Sequence, residues 1–496
     1  MKEERYDVVV VGASNAGGMA AGAARQKGAK VLVIDKESTV DYLYRNTIAS
    51  VNSSAQKQAG IKIDKRELVE FLSAFAQDNV NQKLLWKWAN ESGEALDWLE
   101  ENILEPNGDH LYVEADAKYE TLINKAFPTG NEVTSDDKSW DRGWGRYMIK
   151  ELKNMGVDFA WKTKLEHLIT DSQNKIIGLE VRDEDTSKVR KIYVNKGVVI
   201  CTGGYGNNLA LMQKWAPTLL KKNTFGQGPR DDGSGQIAAM EVGAARDEEP
   251  ASIIFDRGAV PVGTNIIDFY INDWQSHQFV LGSYPLLKVN LRGERFFNES
   301  APYQFAMNSL MHQPGHLEVM IWNEKTMDNL KQFHTLGCSR LGWPGIFDTD
   351  GEKKLLKKFL ELGYVQQADS IEELAEKMNL PKDTLINTVK KYNEMCQKGE
   401  DTEFGKEAYR LFPVDGAPYY AVTLGGILLA TLDGVRVNDS MNVLDENCNP
   451  IKGLYAAGNC AGGFFWGSYP DRVPGLTASH AITFGRLAGL NVVSEN

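Results

Sequence analysis

The first 36 residues follow an order of apolar run, glycine turn, small-residue segment and second apolar run. The apolar runs lie in YDVVVVG (6–12) and AKVLVIDK (29–36), and between them come ASNAGG (13–18) and MAAGAARQKG (19–28). Short, continuously apolar runs separated by a helical segment are typical of parallel strands that are buried on both faces. The pattern therefore predicts a strand-turn-helix-strand unit whose helix ends at Gly28.

Two more apolar runs end in glycine, and both predict strands. They are KGVVICTGGYG (196–206) and IKGLYAAGNCAGG (451–463), the second followed by a helical stretch from Ser479 to Val493. Between 351 and 400 the pattern becomes helical. A capping box is predicted from Ser370 to Glu373, Pro381 lies near a helix start, and Gly399 follows the last helical positions.

The first glycine turn has the features of a dinucleotide-binding fingerprint. Gly12 would allow the tight turn, Gly17 and Gly18 would let helix and strand pack closely, and the helix N-terminus would face a pyrophosphate. Asp35, at the end of the second strand, could accept hydrogen bonds from a ribose diol. Ser14 replaces the middle glycine of the pattern. NAD and FAD share this fingerprint, but a strand returning from the far C-terminus is typical of FAD folds.

Composition narrows the function without defining it. At 496 residues the chain is long enough for two domains, and its formal charge of −12 argues against nucleic acid or an anionic membrane as partner. Its five cysteines are scattered without C-x-x-C spacing, so we predict no metal and an organic redox cofactor. Met1 leads directly into the first strand, and no apolar window reaches the about 18 residues of a membrane span, so we expect a cytoplasmic protein without a membrane span.

Several motifs together resemble the fumarate reductase and 3-oxosteroid dehydrogenase flavoprotein superfamily. Besides the first glycine turn they are CTGGYGNN (201–208), GPRDDGSGQIAAMEVGA (228–244), VNLRGERFFNESAPY (289–303), LPKDTLINTVKKYNEMCQKGEDTEF (380–404) and GLYAAGN (453–459). The resemblance implies an α/β fold with a split Rossmann-like FAD-binding domain, residues 1–270 and 421–496. It also implies an inserted α+β capping, catalytic domain over 271–420.

The same resemblance implies the residues that hold FAD. The implied positions are Gly12, Ser14, Asn15, Ala16, Gly17, Asp35, Lys36, Thr202, Gly203, Gly204, Asp232, Gly458, Asn459, Gly475 and Leu476. Asn459 stands where many flavoproteins carry an acid that meets the ribityl chain. No histidine lies near Arg45-Asn46-Thr47, where covalent relatives attach the flavin, so we expect FAD to bind noncovalently.

The substrate side is closer to the steroid branch of this superfamily. Two ligands of the fumarate branch are missing, because Tyr303 stands at the position of its proton-donating arginine and Ala430 at that of its histidine. Tyr303 matches N-E-x-x-P-Y, in which the tyrosine exchanges a proton beside a ketone. GSYPDRVPGL (467–476) resembles G-x-Y-P-x-P-G but is two residues longer, and the match would place the Tyr469 hydroxyl and the Gly475 N–H on the ketone oxygen.

Simple energetics agree with that arrangement. One hydrogen-bond donor to a developing oxyanion is worth about 2.7–4 kcal/mol. A phenol with an ordinary pKa near about 10 is a better acid than base at neutral pH, which favours reduction over dehydrogenation. Tyr112 and Tyr119 are candidates for lowering that pKa, or are plain surface and packing residues.

Arg472 does not decide between the fumarate branch and the steroid branch. It coincides with the substrate arginine of the fumarate branch in a gapless alignment but falls in the two-residue insertion of the steroid alignment. A substrate or proton role, a flavin contact and a surface ion pair are all compatible with its position. Phe464, Phe465 and Trp466 could form an apolar pocket wall or simply pack in the core. We expect His480 to be structural.

Three functions follow from these alternatives. The first is an FAD-dependent oxidoreductase of enones, acting on a flat, 3-oxosteroid-like small molecule. The second is an enoate reductase for a carboxylate such as fumarate, urocanate or cinnamate. The third is a noncatalytic flavin carrier. No second nicotinamide fingerprint, haem attachment site or iron–sulfur spacing is present. Electrons would therefore be exchanged with a separate donor or acceptor, or come directly from a nicotinamide that binds without a dedicated fold.

Overall fold

The computed structural model describes residues 4–39, 47–113, 125, 127–135, 143–226, 230–265, 277–333 and 349–494. Its strands are β1 (Glu4–Val11), β2 (Val31–Ile34), β3 (Thr47–Ala49), β4 (Asp109–Val113), β5 (Gly130–Ser135), β6 (Asp158–Ala160), β7 (Thr163–Thr170), β8 (Ile176–Asp183), β9 (Val189–Ile200), β10 (Asn223–Gly226), β11 (Ala251–Val260), β12 (Leu287–Asn290), β13 (Glu318–Asn323), β14 (Val365–Ala368), β15 (Tyr419–Thr431), β16 (Asn442–Leu444), β17 (Pro450–Ala456) and β18 (Gly467–Ser468).

Helices fill the connections between these strands. They are α1 (Asn15–Gln26), α2 (Ser54–Gln58), α3 (Lys65–Phe75), α4 (Gln82–Leu99), α5 (Gly145–Asn154), α6 (Leu209–Trp215), α7 (Pro217–Leu220), α8 (Ser234–Glu241), α9 (Tyr303–Leu310), α10 (Glu324–Asp328), α11 (Thr349–Glu361), α12 (Ile371–Lys377), α13 (Lys382–Lys398) and α14 (Leu476–Ser494). Strands and helices alternate in the manner of an α/β protein, as predicted.

The strand-turn-helix-strand unit at the N-terminus is confirmed. β1 pairs in parallel with β2, with Val8 opposite Val31, and the four residues of β2 are all buried. The helix begins earlier than the predicted segment, because Ser14 caps it by accepting a hydrogen bond from the Gly17 N–H. Gly28 follows the helix with a φ of +87°, a conformation that favours glycine.

The strand that returns from the C-terminus is also confirmed. β9 lies between β1 and β17 and is parallel to both, so the main sheet runs in the order β16-β17-β9-β1-β2-β6. α14 packs along α1, where Gly485 lies against Ala16 and Gly489 against Ala20. A side chain at either glycine would collide with the α1 backbone. The two ends of the chain therefore share one packed unit.

A second sheet of seven strands has the order β12-β13-β15-β11-β18, with β10 and β14 also paired to β15. β11 and β18 enter this sheet from segments that we assigned to the flavin domain, and β15 crosses the predicted boundary between 420 and 421. β15 can pair with four strands because it is 13 residues long. The predicted division into domains stays a prediction.

The helical segment between 351 and 400 follows its sequence signals. Ser370 caps α12 by accepting a hydrogen bond from the Glu373 N–H. α13 begins directly after Pro381 and ends at Gly399, which adopts the left-handed conformation with a φ of +68°. In the described part of the chain, no helix has both the length and the apolar character that a membrane crossing requires.

Candidate functional site

The turn between β1 and α1 packs against the end of β9. Gly12 has a φ of +102°, and a Cβ there would lie 2.5 Å from the Cys201 carbonyl oxygen. The Ser14 hydroxyl donates a hydrogen bond of 2.9 Å to the same oxygen. Ser14 thus cross-links the turn to β9 and caps α1, so its role differs from that of the glycine it replaces. A Cβ at Gly18 would meet the Met148 side chain of α5, so Gly18 provides space for a helix rather than for a strand.

The carboxylate of Asp35 holds the same turn from the other side. It accepts hydrogen bonds from the Ala13 N–H at 2.7 Å and from the Glu37 N–H at 2.9 Å. Asp35 remains partly exposed at the carboxyl end of β2. Each carboxylate oxygen can accept more than one hydrogen bond, so Asp35 can still receive a ribose hydroxyl.

Lys36 and Asp232 meet across the site. The Lys36 ammonium lies 2.9 Å from the Asp232 carboxylate and donates to the Arg230 carbonyl at 2.6 Å. Burial alone would raise the pKa of Asp232, but hydrogen bonds from Lys36 and Ser234 outweigh it and lower the pKa below its usual value. The two predicted contacts therefore form one charged pair.

The glycines after β9 and β17 lie beside the start of α1. A Cβ at Gly458 would lie 3.1 Å from that of Ala16, and Gly203 adopts a φ of +76°. A side chain at Gly204 would collide with Thr431. Thr202 and Asn459 are half-buried within these two glycine segments. The carboxyl ends of three parallel strands thus converge on the N-terminus of α1.

The chemistry of these groups fits an extended dinucleotide. Asn15 and Ala16 open α1, where backbone N–H groups lack partners within the helix and attract phosphate. Bare backbone at the three glycine turns permits close approach, and Asp35 offers a carboxylate to a ribose. These are the groups that would hold the cofactor. Residues 45 and 46, on which the prediction of noncovalent attachment rests, lie outside the described residues.

Tyr303 is the first residue of α9 and is 8% exposed. Its ring meets the Phe255 ring edge to face, with 4.9 Å between centroids. Its backbone N–H donates to the Asp471 carboxylate at 3.3 Å. Pro302 precedes the helix without a side-chain cap, so the Asp471 carboxylate serves as the cap from a distant part of the chain.

The segment 467–476 connects β18 to α14 and carries the other predicted substrate contacts. The Tyr469 hydroxyl accepts a hydrogen bond from the Leu476 N–H at 2.9 Å and donates to the Val473 carbonyl at 3.5 Å. Gly475 has a φ of +80°, and a Cβ there would lie 2.5 Å from the Ala49 nitrogen. No described residue accepts a hydrogen bond from the Gly475 N–H. The Tyr469 hydroxyl and the Gly475 N–H therefore flank the same turn.

Arg472 is 5% exposed, so the surface ion pair that the sequence allowed is wrong. Its guanidinium donates to the Ser300 carbonyl at 2.9 Å and lies 3.5 Å from Asp471. Burial raises the pKa of Asp471, although Arg472 opposes the shift. Arg410 is 2% exposed, and burial followed by the charge of Arg472 lowers its pKa. A guanidinium stays protonated in proteins, so two buried cations share this region.

The other predicted residues differ in whether they are buried or exposed. Phe464 and Phe465 are buried around His480, and together with Trp466 they line an apolar cleft that also includes Leu476. His480 is 1% exposed, and burial lowers its pKa to about 3, which agrees with a structural role. Tyr112 is 55% exposed on β4, which speaks against a helper role. Tyr119 lies outside the described residues.

The sequence analysis missed three buried polar residues beside Tyr303 or Arg472. These are Gln304, Arg410 and Asp471. Asp471 had a weak signal, because it lies beside Arg472 in the two-residue insertion of the loop. Gln304 and Arg410 had none, since neither belongs to a motif that points to chemistry.

A protein family and several known proteins match almost the whole chain. The FAD binding domain family matches residues 7–472. The vinyl phenol reductase of Lactiplantibacillus plantarum is 26% identical over 503 residues, covering 98% of this chain and 96% of that protein. The NADH:fumarate oxidoreductase of Klebsiella pneumoniae is 24% identical over 98% of this chain and 47% of its own length.

Among solved structures, the 3-ketosteroid-delta4-(5alpha)-dehydrogenase from Rhodococcus jostii RHA1 has a TM-score of 0.75. It was solved in complex with 4-androstene-3,17-dione, and the match covers 99% of this chain and 97% of that one. At 22% identity the likeness shows the fold alone.

Proposed function

The chain belongs to the FAD binding domain family and is an FAD-dependent oxidoreductase of the fumarate reductase and ketosteroid dehydrogenase group, and we propose that it reduces a C=C bond conjugated to a carbonyl. The observation that carries the proposal is the link between Tyr303 and the loop of Tyr469 and Gly475 through Asp471. A proton donor and two donors to a carbonyl oxygen are thereby held on neighbouring, buried elements.

The reaction divides between the cofactor and the side chains. When bound and reduced by a separate electron donor, FAD would supply a hydride to one carbon of the double bond. Tyr303 gives its phenolic proton to the adjacent carbon, so that two electrons and two hydrogens are added. The Gly475 N–H and the Tyr469 hydroxyl would stabilise the charge that develops on the carbonyl oxygen, each worth about 2.7–4 kcal/mol. The Tyr469 hydroxyl would have to exchange its bond to Val473 for one to the substrate.

A carboxylate-bearing substrate is a second candidate, and the buried pair of Arg410 and Arg472 favours it. Two buried guanidiniums lie near one buried carboxylate, Asp471. Charge-assisted hydrogen bonds from a guanidinium to a carboxylate are stronger than neutral ones and are often bidentate, so a carboxylate substrate that reached these guanidiniums would be stabilised. Relatives of both kinds occur, because the names vinyl phenol reductase and NADH:fumarate oxidoreductase describe a neutral and an anionic alkene.

Reoxidation of the holoenzyme separates these substrates. The purified protein is reduced with dithionite without oxygen, and the recovery of the oxidised flavin spectrum is followed with androst-4-ene-3,17-dione, 4-vinylphenol, cinnamate and fumarate in turn. The proposal expects at least one conjugated carbonyl compound to restore the spectrum. Recovery with cinnamate or fumarate but not the steroid would select the carboxylate candidate. Two results would refute the proposal: recovery with 4-vinylphenol alone, which carries no carbonyl, or failure of every alkene together with failure of the saturated steroid to reduce the oxidised enzyme.

A further inference from the structure

Gln304 forms an uncommonly complete set of hydrogen bonds directly after Tyr303. Its Oε1 accepts from the Ile254 N–H and the Tyr469 N–H, each at 3.2 Å. Its Nε2 donates to the Ser252 hydroxyl at 2.8 Å and to the Gly467 carbonyl at 3.4 Å. The side chain is 1% exposed. One amide therefore joins α9 to β11 and to the loop after β18.

All four hydrogen-bonding capacities of this amide are in use. An amide offers two acceptor sites on oxygen and two N–H donors, and no other side chain of this size has the same set. Glutamate would lose both donors, and methionine would leave the Ile254 and Tyr469 N–H groups without an acceptor. A fully satisfied buried polar group rigidifies and specifies its surroundings, whereas an apolar residue would merely fill the space.

The bonded groups are not scattered over the core. Tyr469 and Gly467 belong to the loop that carries the carbonyl-binding groups, and Ile254 and Ser252 belong to the strand that also contains Phe255, the ring partner of Tyr303. Gln304 is thus the point at which the proton donor, its ring partner and the substrate loop are held in one arrangement. Asp471 holds the same loop at the Tyr303 backbone, but only at a single bond.

We infer that Gln304 is a positioning residue that fixes the Tyr303 hydroxyl relative to the Tyr469 loop during proton transfer. The inference rests on the proposed function, because it presupposes that Tyr303 donates the proton. It assigns Gln304 itself no contact with substrate or cofactor. A displacement of about 1 Å in an active site can lower the rate on the order of 100-fold. Removing the amide should therefore slow the proton-dependent step and leave cofactor binding intact.

The test compares Gln304→Met with wild type and with Asn308→Leu as a matched control. Asn308 is also an amide on α9. It donates to the Ser468 hydroxyl at 2.9 Å across the same interface and accepts from the Lys222 ammonium at 2.7 Å, but it is only half-buried and its side chain forms no hydrogen bond with Gln304 or Tyr469. Each dithionite-reduced holoenzyme is reoxidised by oxygen and, separately, by the alkene that reoxidises the wild type fastest. FAD retention and the thermal midpoint are measured on the same samples.

For Gln304→Met we expect alkene reoxidation to slow on the order of 100-fold, while oxygen reoxidation and FAD retention stay near wild type. Asn308→Leu should keep the alkene rate within about threefold, since α9 and the loop remain joined through Gln304. In a Tyr303→Phe background, Gln304→Met should slow the reaction by no more than about threefold further, because residues acting as a unit are not additive.

Three results would overturn the inference. They are a wild-type alkene rate in Gln304→Met, equal slowing with alkene and oxygen, and a full additional loss in the Tyr303→Phe background. If Gln304→Met does not fold, Gln304→Glu decides, because it keeps both acceptor bonds and should show an intermediate, alkene-specific loss. If no alkene reoxidises the wild type, the proposed function itself fails and the inference with it.

Discussion

The Asp471 carboxylate accepts a hydrogen bond from the Tyr303 N–H, although the two residues are 168 positions apart. This bond caps the helix that begins with the candidate proton donor. It also places Asp471 beside the buried Arg472. One carboxylate therefore connects the position of the candidate proton donor to the charge balance of the site.

Replacing Asp471 should be costly for stability. In Asp471→Asn the amide oxygen can still cap α9, but the charge that faces Arg472 is lost. Removing one partner of a buried ion pair costs about 3–5 kcal/mol. We expect the free energy of unfolding in urea to fall by that amount. Asp415→Asn is the control, because the exposed Asp415–Lys325 pair should contribute less than about 1 kcal/mol. Equal losses of unfolding free energy in both variants would contradict the assignment of Asp471 to a buried ion pair with Arg472.

Arg472 should distinguish an acid from its ester. If the carboxylate candidate holds, the wild type reduces cinnamate with a lower KM than methyl cinnamate, and Arg472→Met removes this preference. A charged hydrogen bond is worth about 1.5–3 kcal/mol, which is on the order of a 10-fold to 100-fold change in KM. Steady-state kinetics with both substrates measure it. A preference for the acid that survives in Arg472→Met would show that another group binds the carboxylate.

His480 should make the fold sensitive to acid. Burial lowers its pKa to about 3, whereas an unfolded histidine titrates near about 6.5. Between these values the unfolded chain binds more protons, so stability falls as the pH falls. The loss is about 1.4 kcal/mol per pH unit below 6.5, or about 2 kcal/mol at pH 5. The free energy of unfolding in urea is measured at pH 7.5 and pH 5.0. We expect the difference between the two pH values to be smaller in His480→Leu than in the wild type. An unchanged pH dependence would assign the loss to other groups.

The nucleotide-binding turn allows a test with two glycines. Gly12→Ala places a Cβ 2.5 Å from the Cys201 carbonyl oxygen at a φ of +102°. Gly28→Ala has a similar positive φ of +87° but meets nothing within 4 Å, so it reproduces the backbone strain without the collision. We expect Gly12→Ala to lose FAD on gel filtration and Gly28→Ala to retain it, as measured by the ratio of flavin to protein absorbance. Loss of FAD in both variants would mean that strain alone is responsible.

The sequence was sufficient to predict the strands and the helix around the first glycine turn, because the patterns that indicate them are local. The apolar runs and the glycine turn lie within about one helix length of each other, and the returning β17 repeats the same pattern. The helix signals at Ser370 and Gly399 were correct for the same reason. The Ser14 cap, which starts α1 earlier than predicted, was not recognised from the sequence.

The substrate side could not be predicted to the same extent. The hydrogen bonds of Gln304 form only when the fold brings β11 and the Tyr469 loop to it. Ile254 and Tyr469 are 50 and 165 residues away from it in the sequence. Arg410 approaches Arg472 through tertiary packing that no spacing in the sequence encodes. The position of Tyr303 was available from its motif, but the Asp471 carboxylate that caps its helix was not.

The rate at which an alkene reoxidises the dithionite-reduced Tyr303→Phe holoenzyme decides whether Tyr303 is the proton donor. Phenylalanine keeps the ring contact with Phe255 and removes only the hydroxyl. General-acid catalysis contributes about 10²–10⁴-fold, so the alkene rate should fall by that factor while reoxidation by oxygen and FAD retention stay unchanged. A Tyr303→Phe protein that the alkene reoxidises at the wild-type rate would show that the proton comes from another group.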